Sequence, residues 1–317
     1  MKRYIKLGVS FIAVLFVLTG CGQQENTIVA GKLNVVTSFY PIYEFAASIG
    51  GEDAHVTNLL PTGVEPHEWT PRSKDLINTS KAQLFLYNGA GLEGWVPNFV
   101  KGFNKDAVVK PVEVSSGIPL LYANDEEGEP SHSSSKEDQT GDDHHTDPHT
   151  WVSPKSALLM IKNIKDSYVA ADPLHKANYE ARYSGLAQKL RDLDHQFESA
   201  LSTTVNKEIV VSHQAFGYLC RDYGLTQYAI MGLSPDAEPR AQDIIKLTHT
   251  VKDKKIKYIF FEEMVSKNLA NTLAGETGVK TLVLSPVEGL TQEQVKNKDN
   301  YFTLMQRNLN NLLLALE

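Results

Sequence analysis

The chain has 317 residues, with 38 acidic and 31 basic side chains and a formal net charge of −7. That length suffices for two globular lobes, and the absence of a basic patch speaks against a protein that binds nucleic acid. The sequence contains two cysteines, Cys21 and Cys220. It shows neither a phosphate-binding glycine loop, nor a dinucleotide-binding glycine motif, nor a tandem repeat.

The N-terminus has the pattern of an exported lipoprotein. Basic residues at positions 2, 3 and 6 precede an apolar run over 8–18, about half the roughly 20 residues that a membrane-spanning helix needs. Such a run is typical of a secretory signal peptide. The following Leu-Thr-Gly-Cys resembles the lipobox of bacterial lipoproteins, which implies a signal peptide over 1–20, a lipid on Cys21 and a tether over 21–32. An uncleaved anchor or an ordinary signal peptide is the alternative, disfavoured by the small residues before Cys21.

Short runs rich in β-branched residues predict eight strands, four in each half of the chain. In chain order they are 33–39, 56–60, 84–88, 108–112, 208–212, 226–230, 256–261 and 280–284. Helical patterns lie between most of them, and this alternation is typical of parallel sheets with helices on their faces. The sequence therefore predicts an α/β fold with two Rossmann-like lobes, an N-terminal one over 33–170 and a C-terminal one over 206–317.

A long polar helical region separates the two sets of strands. Ser153 and Pro154 suit its start, since serine caps a helix and proline fits the first helical position. Asp172-Pro173 should break and restart it, and the pattern over 173–202 then predicts a helix of roughly 45 Å. This linking helix, 171–205, would join the lobes as a stiff spine. A helical hairpin inside one domain is the alternative.

Residues 124–148 form an acidic, histidine-rich loop that contains His132, His144 and His145. The loop has too few apolar side chains to pack, so we expect it to stay hydrated and mobile. Because imidazole is a common zinc ligand, these histidines could sample a transition metal and hold it at a raised effective concentration near His149. The alternative is a solvated insertion with incidental histidines.

Four motifs carry the candidate metal ligands. They are Gly63–Trp69 (GVEPHEW), Asp147–Trp151 (DPHTW), Val210–Phe216 (VVSHQAF) and Leu284–Leu290 (LSPVEGL). His67, His213 and Glu288 each follow a predicted strand, and His149 precedes the capped helix. Because loops at the carboxyl ends of parallel strands converge, one ion between two lobes would need this distribution. Taken singly, each histidine has a plainer reading as a surface or hydrogen-bonded residue.

Together, the lipobox, these motifs, the acidic loop and Ser234-Pro235-Asp236-Ala237-Glu238-Pro239 resemble one family. It is the zinc-uptake substrate-binding lipoproteins of bacterial ATP-binding-cassette (ABC) transporters, within the metal-binding cluster A-I. The resemblance covers essentially the whole mature chain and implies two α/β lobes joined by one long rigid helix, with metal in the cleft. It implies His67, His149 and His213 as ligands, with Glu288 fourth; in some members water takes that place.

The resemblance also implies a function. The chain would be an extracytoplasmic carrier, anchored to the cell membrane by a lipid on Cys21, that hands Zn²⁺ to an ABC permease and its ATPase. Zinc would be the transported ligand, the protein would not be an enzyme, and we expect a monomer without a nucleic-acid partner.

Three alternatives remain from the residues, and for one of them, a surface adhesin, the sequence gives evidence neither for nor against. Manganese carriers of the same family resemble a site with two histidines and two carboxylates, whereas this chain has His213 where such a carrier tends to have Glu; imidazole suits Zn²⁺ better than Mn²⁺. A zinc hydrolase would use three histidines and a water, but no HExxH helix or nucleophile elbow is present. Glu262 and Glu263, after a predicted strand, are expected at most to support ligands from behind.

Overall fold

A computed structural model of the chain describes residues 28–123, 145–235, 241–266 and 268–317. The predicted signal peptide, the lipidated Cys21 and most of the acidic loop lie outside these residues. All eight predicted strands are present, with ends that differ by a few residues. The strands are β1 (Leu33–Thr37), β2 (Ala54–Asn58), β3 (Leu84–Tyr87), β4 (Lys110–Glu113), β5 (Tyr122–Ala123), β6 (His145–Thr146), β7 (Glu208–His213), β8 (Thr226–Met231), β9 (Tyr258–Phe261) and β10 (Lys280–Val283).

The eight long strands form two four-stranded parallel sheets with the same internal order. One sheet runs β2-β1-β3-β4 and the other β8-β7-β9-β10, so each half places its first strand between its second and third. Crossovers leave the first strand in opposite directions, which opens a crevice at the carboxyl ends of β1 and β3 and of β7 and β9. The predicted α/β fold with two parallel sheets is confirmed.

In the part of the chain that the structure describes, ten α-helices cover the sheets and connect them. They are α1 (Tyr40–Gly50), α2 (Ser73–Thr79), α3 (Val96–Lys101), α4 (Pro154–Ala171), α5 (Lys176–Ser202), α6 (Gly217–Tyr223), α7 (Ala241–Asp253), α8 (Asn268–Thr277), α9 (Gln292–Lys296) and α10 (Tyr301–Leu316). Within the described ranges, no helix is both long and apolar enough to cross a bilayer.

The long helix α5 contacts both halves of the molecule. Arg182 on α5 donates to the carbonyl oxygen of Ile49 on α1 at 3.0 Å, and Asp194 on α5 accepts from Tyr223 Oη on α6 at 2.8 Å. The helix also packs on α4, which ends before the predicted break at Asp172. The helix therefore joins the two halves, as the predicted spine does, and its packing on α4 is not a hairpin inside one domain.

A single apolar cluster extends from the first sheet to the second. It includes Phe39 after β1, Trp151, Leu284 after β10 and Tyr301 on α10, all with at most 2% of their surface exposed. Trp151 packs edge-on against Phe39, with ring centroids 4.7 Å apart. Because the core is shared, the loops of the two halves meet over it in fixed positions.

Candidate metal centre

Four side chains from four separate segments meet where the two sheets face each other. His67, His149, His213 and Glu288 each offer one possible ligand atom, and these atoms all lie within 4.8 Å of one another. His213 is the last residue of β7, while His67 and Glu288 follow β2 and β10. His149 follows the small β5–β6 hairpin. The convergence predicted from loops at the carboxyl ends of strands is thus present.

Five of the six distances among these atoms are close to the edge length of a tetrahedron of ligands, and the sixth, between His67 and His213, is within 4.8 Å. His149 Nε2 lies 3.2 Å from His67 Nε2 and 3.2 Å from His213 Nε2. Glu288 Oε1 lies 3.5 Å from His67 Nε2, 3.3 Å from His149 Nε2 and 3.6 Å from His213 Nε2. A tetrahedral ion with bonds of about 2.0–2.1 Å separates its ligand atoms by about 3.3–3.4 Å. The cluster therefore has the size of a tetrahedral coordination shell.

Because the cluster is buried, a carboxylate without a partner there would be energetically unfavourable. His149 and His213 are fully buried, Glu288 is 3% exposed, and the His67 side chain is 10% exposed. Glu288 Oε1 has no hydrogen-bond partner among the described residues. A buried oxygen left without a donor destabilises a protein, whereas a bound cation would satisfy it. Three imidazole nitrogens and one carboxylate oxygen are a suitable donor set for a divalent transition metal.

Two further carboxylates hold the inner histidines from behind. Asp147 Oδ1 lies 2.8 Å from His149 Nδ1, and Glu262 Oε1 lies 2.8 Å from His213 Nδ1. The same oxygens accept from the backbone N–H groups of these histidines at 2.9 and 3.2 Å. A ring that donates through Nδ1–H turns the lone pair of Nε2 to the centre, which orients it for a metal.

The sequence predicted only one of these two supporting carboxylates. Glu262 was expected to support a ligand from behind, and it contacts His213. Glu263, the neighbouring candidate, instead accepts from Gln294 Nε2 at 2.8 Å. Asp147 was missed, although its position two residues before His149 was a usable signal.

The electrostatics of the cluster favour protons on imidazole and charge on Glu288. Burial lowers the pKa of His213, but the Glu262 and Glu288 carboxylates outweigh burial and raise this pKa to about 10. Burial would raise the pKa of Glu288, yet the neighbouring imidazoles of His149, His213 and His67 hold this pKa well below its usual value. Cationic and anionic groups thus share one buried space, so a divalent cation can replace the protons.

The remaining predicted residues do not join the cluster in the described part of the chain. His132 and His144 lie outside the described residues, as does Cys21. His145 begins β6, and only its backbone is described. The β5–β6 pairing was not predicted; it brings the two ends of the acidic loop together beside Asp147, whose N–H donates to the Leu121 carbonyl at 2.8 Å.

Comparison with known proteins identifies a matching family and two similar relatives. A family model described as zinc-uptake complex component A, periplasmic, matches residues 35–315. The chain is 40% identical over its whole length to the zinc-binding protein AdcA of Streptococcus pyogenes serotype M3, and it spans 62% of that relative's length. It is 40% identical to the high-affinity zinc uptake system protein ZnuA of Bacillus subtilis, covering 96% of both chains.

A solved structure has a similar fold. The crystal structure of the Zn(II)-bound ZnuA-like domain of Streptococcus pneumoniae AdcA is 40% identical, with a TM-score of 0.75. The match covers 90% of this chain and 99% of that one.

Proposed function

The chain belongs to the zinc-uptake complex component A family, and from this premise we propose that it captures Zn²⁺ outside the cytoplasm and delivers it to an ABC permease and its ATPase. The observation that carries the proposal is the buried tetrahedral cluster of His67, His149, His213 and Glu288. In this proposal the three histidines and Glu288 are the zinc ligands. Zinc is the transported substrate and not a resident cofactor.

The donor set supports zinc over manganese. Three of the four donors are imidazole nitrogens, which suit Zn²⁺, whereas Mn²⁺ prefers carboxylate and water oxygen in octahedral shells. His149, His213 and Glu288 are also buried, which leaves little space for the water oxygens that would complete a six-ligand shell.

The same geometry supports a carrier over a zinc hydrolase. A catalytic zinc site keeps a position open for water beside three protein ligands. Here Glu288 Oε1 stands 3.3–3.6 Å from all three imidazole nitrogens and occupies the fourth corner. Zinc bound by all four side chains would therefore be held and not used for chemistry.

The membrane attachment and the acidic loop complete the proposal. A lipid on Cys21 would anchor the protein to the outer face of the cell membrane, with 21–32 as a tether. His132, His144 and His145 would sample Zn²⁺ near the cluster and raise its local concentration. Release to the permease would require that the two halves be forced apart, because they share one core.

The proposal is tested by metal content. The full chain, purified in detergent and stripped of metal, is offered equal Zn²⁺ and Mn²⁺ and analysed by mass spectrometry. We expect one equivalent of tightly held zinc, lost in His213→Ala and kept in His195→Ala, a control on the exposed face of α5. Manganese retention would overturn the choice of metal. No stoichiometric metal would overturn the carrier function.

Removing the carboxylate that orients His149 should weaken zinc binding without removing a zinc ligand. Asp147→Asn replaces the carboxylate that accepts from His149 Nδ1 with a neutral amide, so the imidazole loses the charged acceptor that orients it and raises its basicity. We expect zinc affinity to fall about 10- to 100-fold, measured by competition with a chromophoric chelator. Asp192→Asn, on the exposed face of α5, is the control. Equal affinities for Asp147→Asn and the unmodified chain would contradict the orienting role.

A further inference from the structure

We propose that Trp151 braces the turn of His149 against the turn of Glu288 and thereby makes the centre selective for an ion with four ligands. The inference rests on the proposed zinc-binding function and adds a positioning residue for it. Trp151 and Pro286 stand two residues after His149 and two residues before Glu288. The indole Nε1 of Trp151 donates to the Pro286 carbonyl at 2.7 Å. One hydrogen bond therefore joins two ligand-bearing turns from opposite halves of the chain.

The turn that carries Glu288 needs a stabilising contact because its backbone is strained at Val287. Val287 has φ +58°, a left-handed conformation that a β-branched residue rarely adopts. Strained residues persist only where their surroundings over-determine them. Asn308 binds the turn through both Ser285 N and Ser285 O, at 2.8 and 2.7 Å. The hydrogen bond from Trp151 to the Pro286 carbonyl is a second contact that fixes this turn.

Trp151 is itself fixed in place. It is fully buried, and its ring lies 5.4 Å from that of His149. Tyr301 Oη donates to the Trp151 carbonyl at 2.8 Å, and the backbone N–H of Tyr301 donates to the Glu44 carboxylate at 2.9 Å. A continuous chain of hydrogen bonds therefore runs from Glu44 on α1 through Tyr301 and Trp151 to Pro286.

This chain of bonds has a consequence for metal choice. It holds Glu288 Oε1 3.3 Å from His149 Nε2, which is one edge of the tetrahedron. An ion that prefers six ligands needs room for additional water oxygens beside the four side chains. While the two turns are tied, the burial of His149, His213 and Glu288 leaves no such room. Loosening the tie admits water and favours such ions relative to zinc.

The test compares two aromatic variants with a matched control. Trp151→Phe removes the indole N–H but keeps a ring against Phe39, and Tyr301→Phe removes the hydroxyl that holds Trp151. Tyr168→Phe is the control, because Tyr168 Oη also donates to a buried backbone carbonyl, that of Ala46, but touches neither ligand turn. Each full chain is loaded with Co²⁺, whose visible absorption is strong in a tetrahedral site and weak in a six-coordinate one. Zinc and manganese affinities are measured in parallel by competition.

We expect the Co²⁺ band to weaken in Trp151→Phe and, to a smaller extent, in Tyr301→Phe. Zinc affinity should fall about tenfold in Trp151→Phe, with a smaller loss for manganese, so that the ratio of zinc to manganese affinity falls. Tyr168→Phe should keep the parent spectrum and ratio. An unchanged spectrum and ratio in Trp151→Phe would overturn the inference, and if that variant does not fold, Tyr301→Phe decides in the same way. A parent chain that binds neither Co²⁺ nor Zn²⁺ would instead overturn the proposed function.

Discussion

Replacing His149 with alanine should reduce zinc affinity about 100- to 1,000-fold. Structural zinc sites bind with about 10–16 kcal/mol through four ligands, so one ligand accounts for about 2.5–4 kcal/mol. His149 is the central member of the cluster, with Nε2 3.2 Å from the other two imidazole nitrogens and 3.3 Å from Glu288 Oε1. Its loss also leaves the buried Asp147 carboxylate without the ring nitrogen that it binds.

The measurement is a competition titration of the full chain against a chelator of known zinc affinity. His195→Ala serves as the control because His195 is exposed on α5. Circular dichroism without metal distinguishes loss of a ligand from loss of the fold. If His149→Ala folds and binds one equivalent of zinc as tightly as the parent, zinc is held at another place and the cluster is not the carrier site.

The large features of the fold were predictable because their signals are local. Strands of a parallel sheet are buried on both faces and appear as continuous β-branched runs, as in β7, where five of six residues are buried. The break at Asp172-Pro173 follows from the backbone restriction before proline. His67, His213 and Glu288 could be grouped because each follows a strand, and parallel strands end at the same edge.

Other features depend on contacts between distant parts of the chain and carry no local signal. Trp151 and Pro286 are 135 residues apart in sequence, and neither residue type indicates the other as a partner. The β5–β6 hairpin has two residues in each strand, which is too short for an alternating pattern. The choice between spine and hairpin could not be made from the sequence because the contacts that decide it, of α5 with α1 and with α6, join distant parts of the chain.

Zinc affinity should fall steeply as the pH is lowered. In the folded chain the pKa of His213 is raised to about 10, since Glu262 and Glu288 outweigh burial. The pKa of His149 is also raised, because the Asp147 and Glu288 carboxylates together outweigh burial. Both imidazoles therefore hold a proton in the metal-free protein below these pKa values, and zinc must displace it. Each displaced proton lowers the affinity about tenfold per pH unit, so we expect a slope between about one and two logarithmic units.

A pair of neighbouring glutamates makes this expectation testable. Glu262→Gln removes one of the two carboxylates that raise the pKa of His213, so this pKa falls. Fewer protons are displaced, and the slope of logarithmic affinity against pH between 6 and 8 should fall by up to about one unit. Glu263→Gln, which changes a carboxylate bound to Gln294, should keep the parent slope. Titrations in buffers of different ionisation enthalpy count the released protons independently. Equal slopes for Glu262→Gln and the parent would mean that the His213 proton is not the one that zinc replaces.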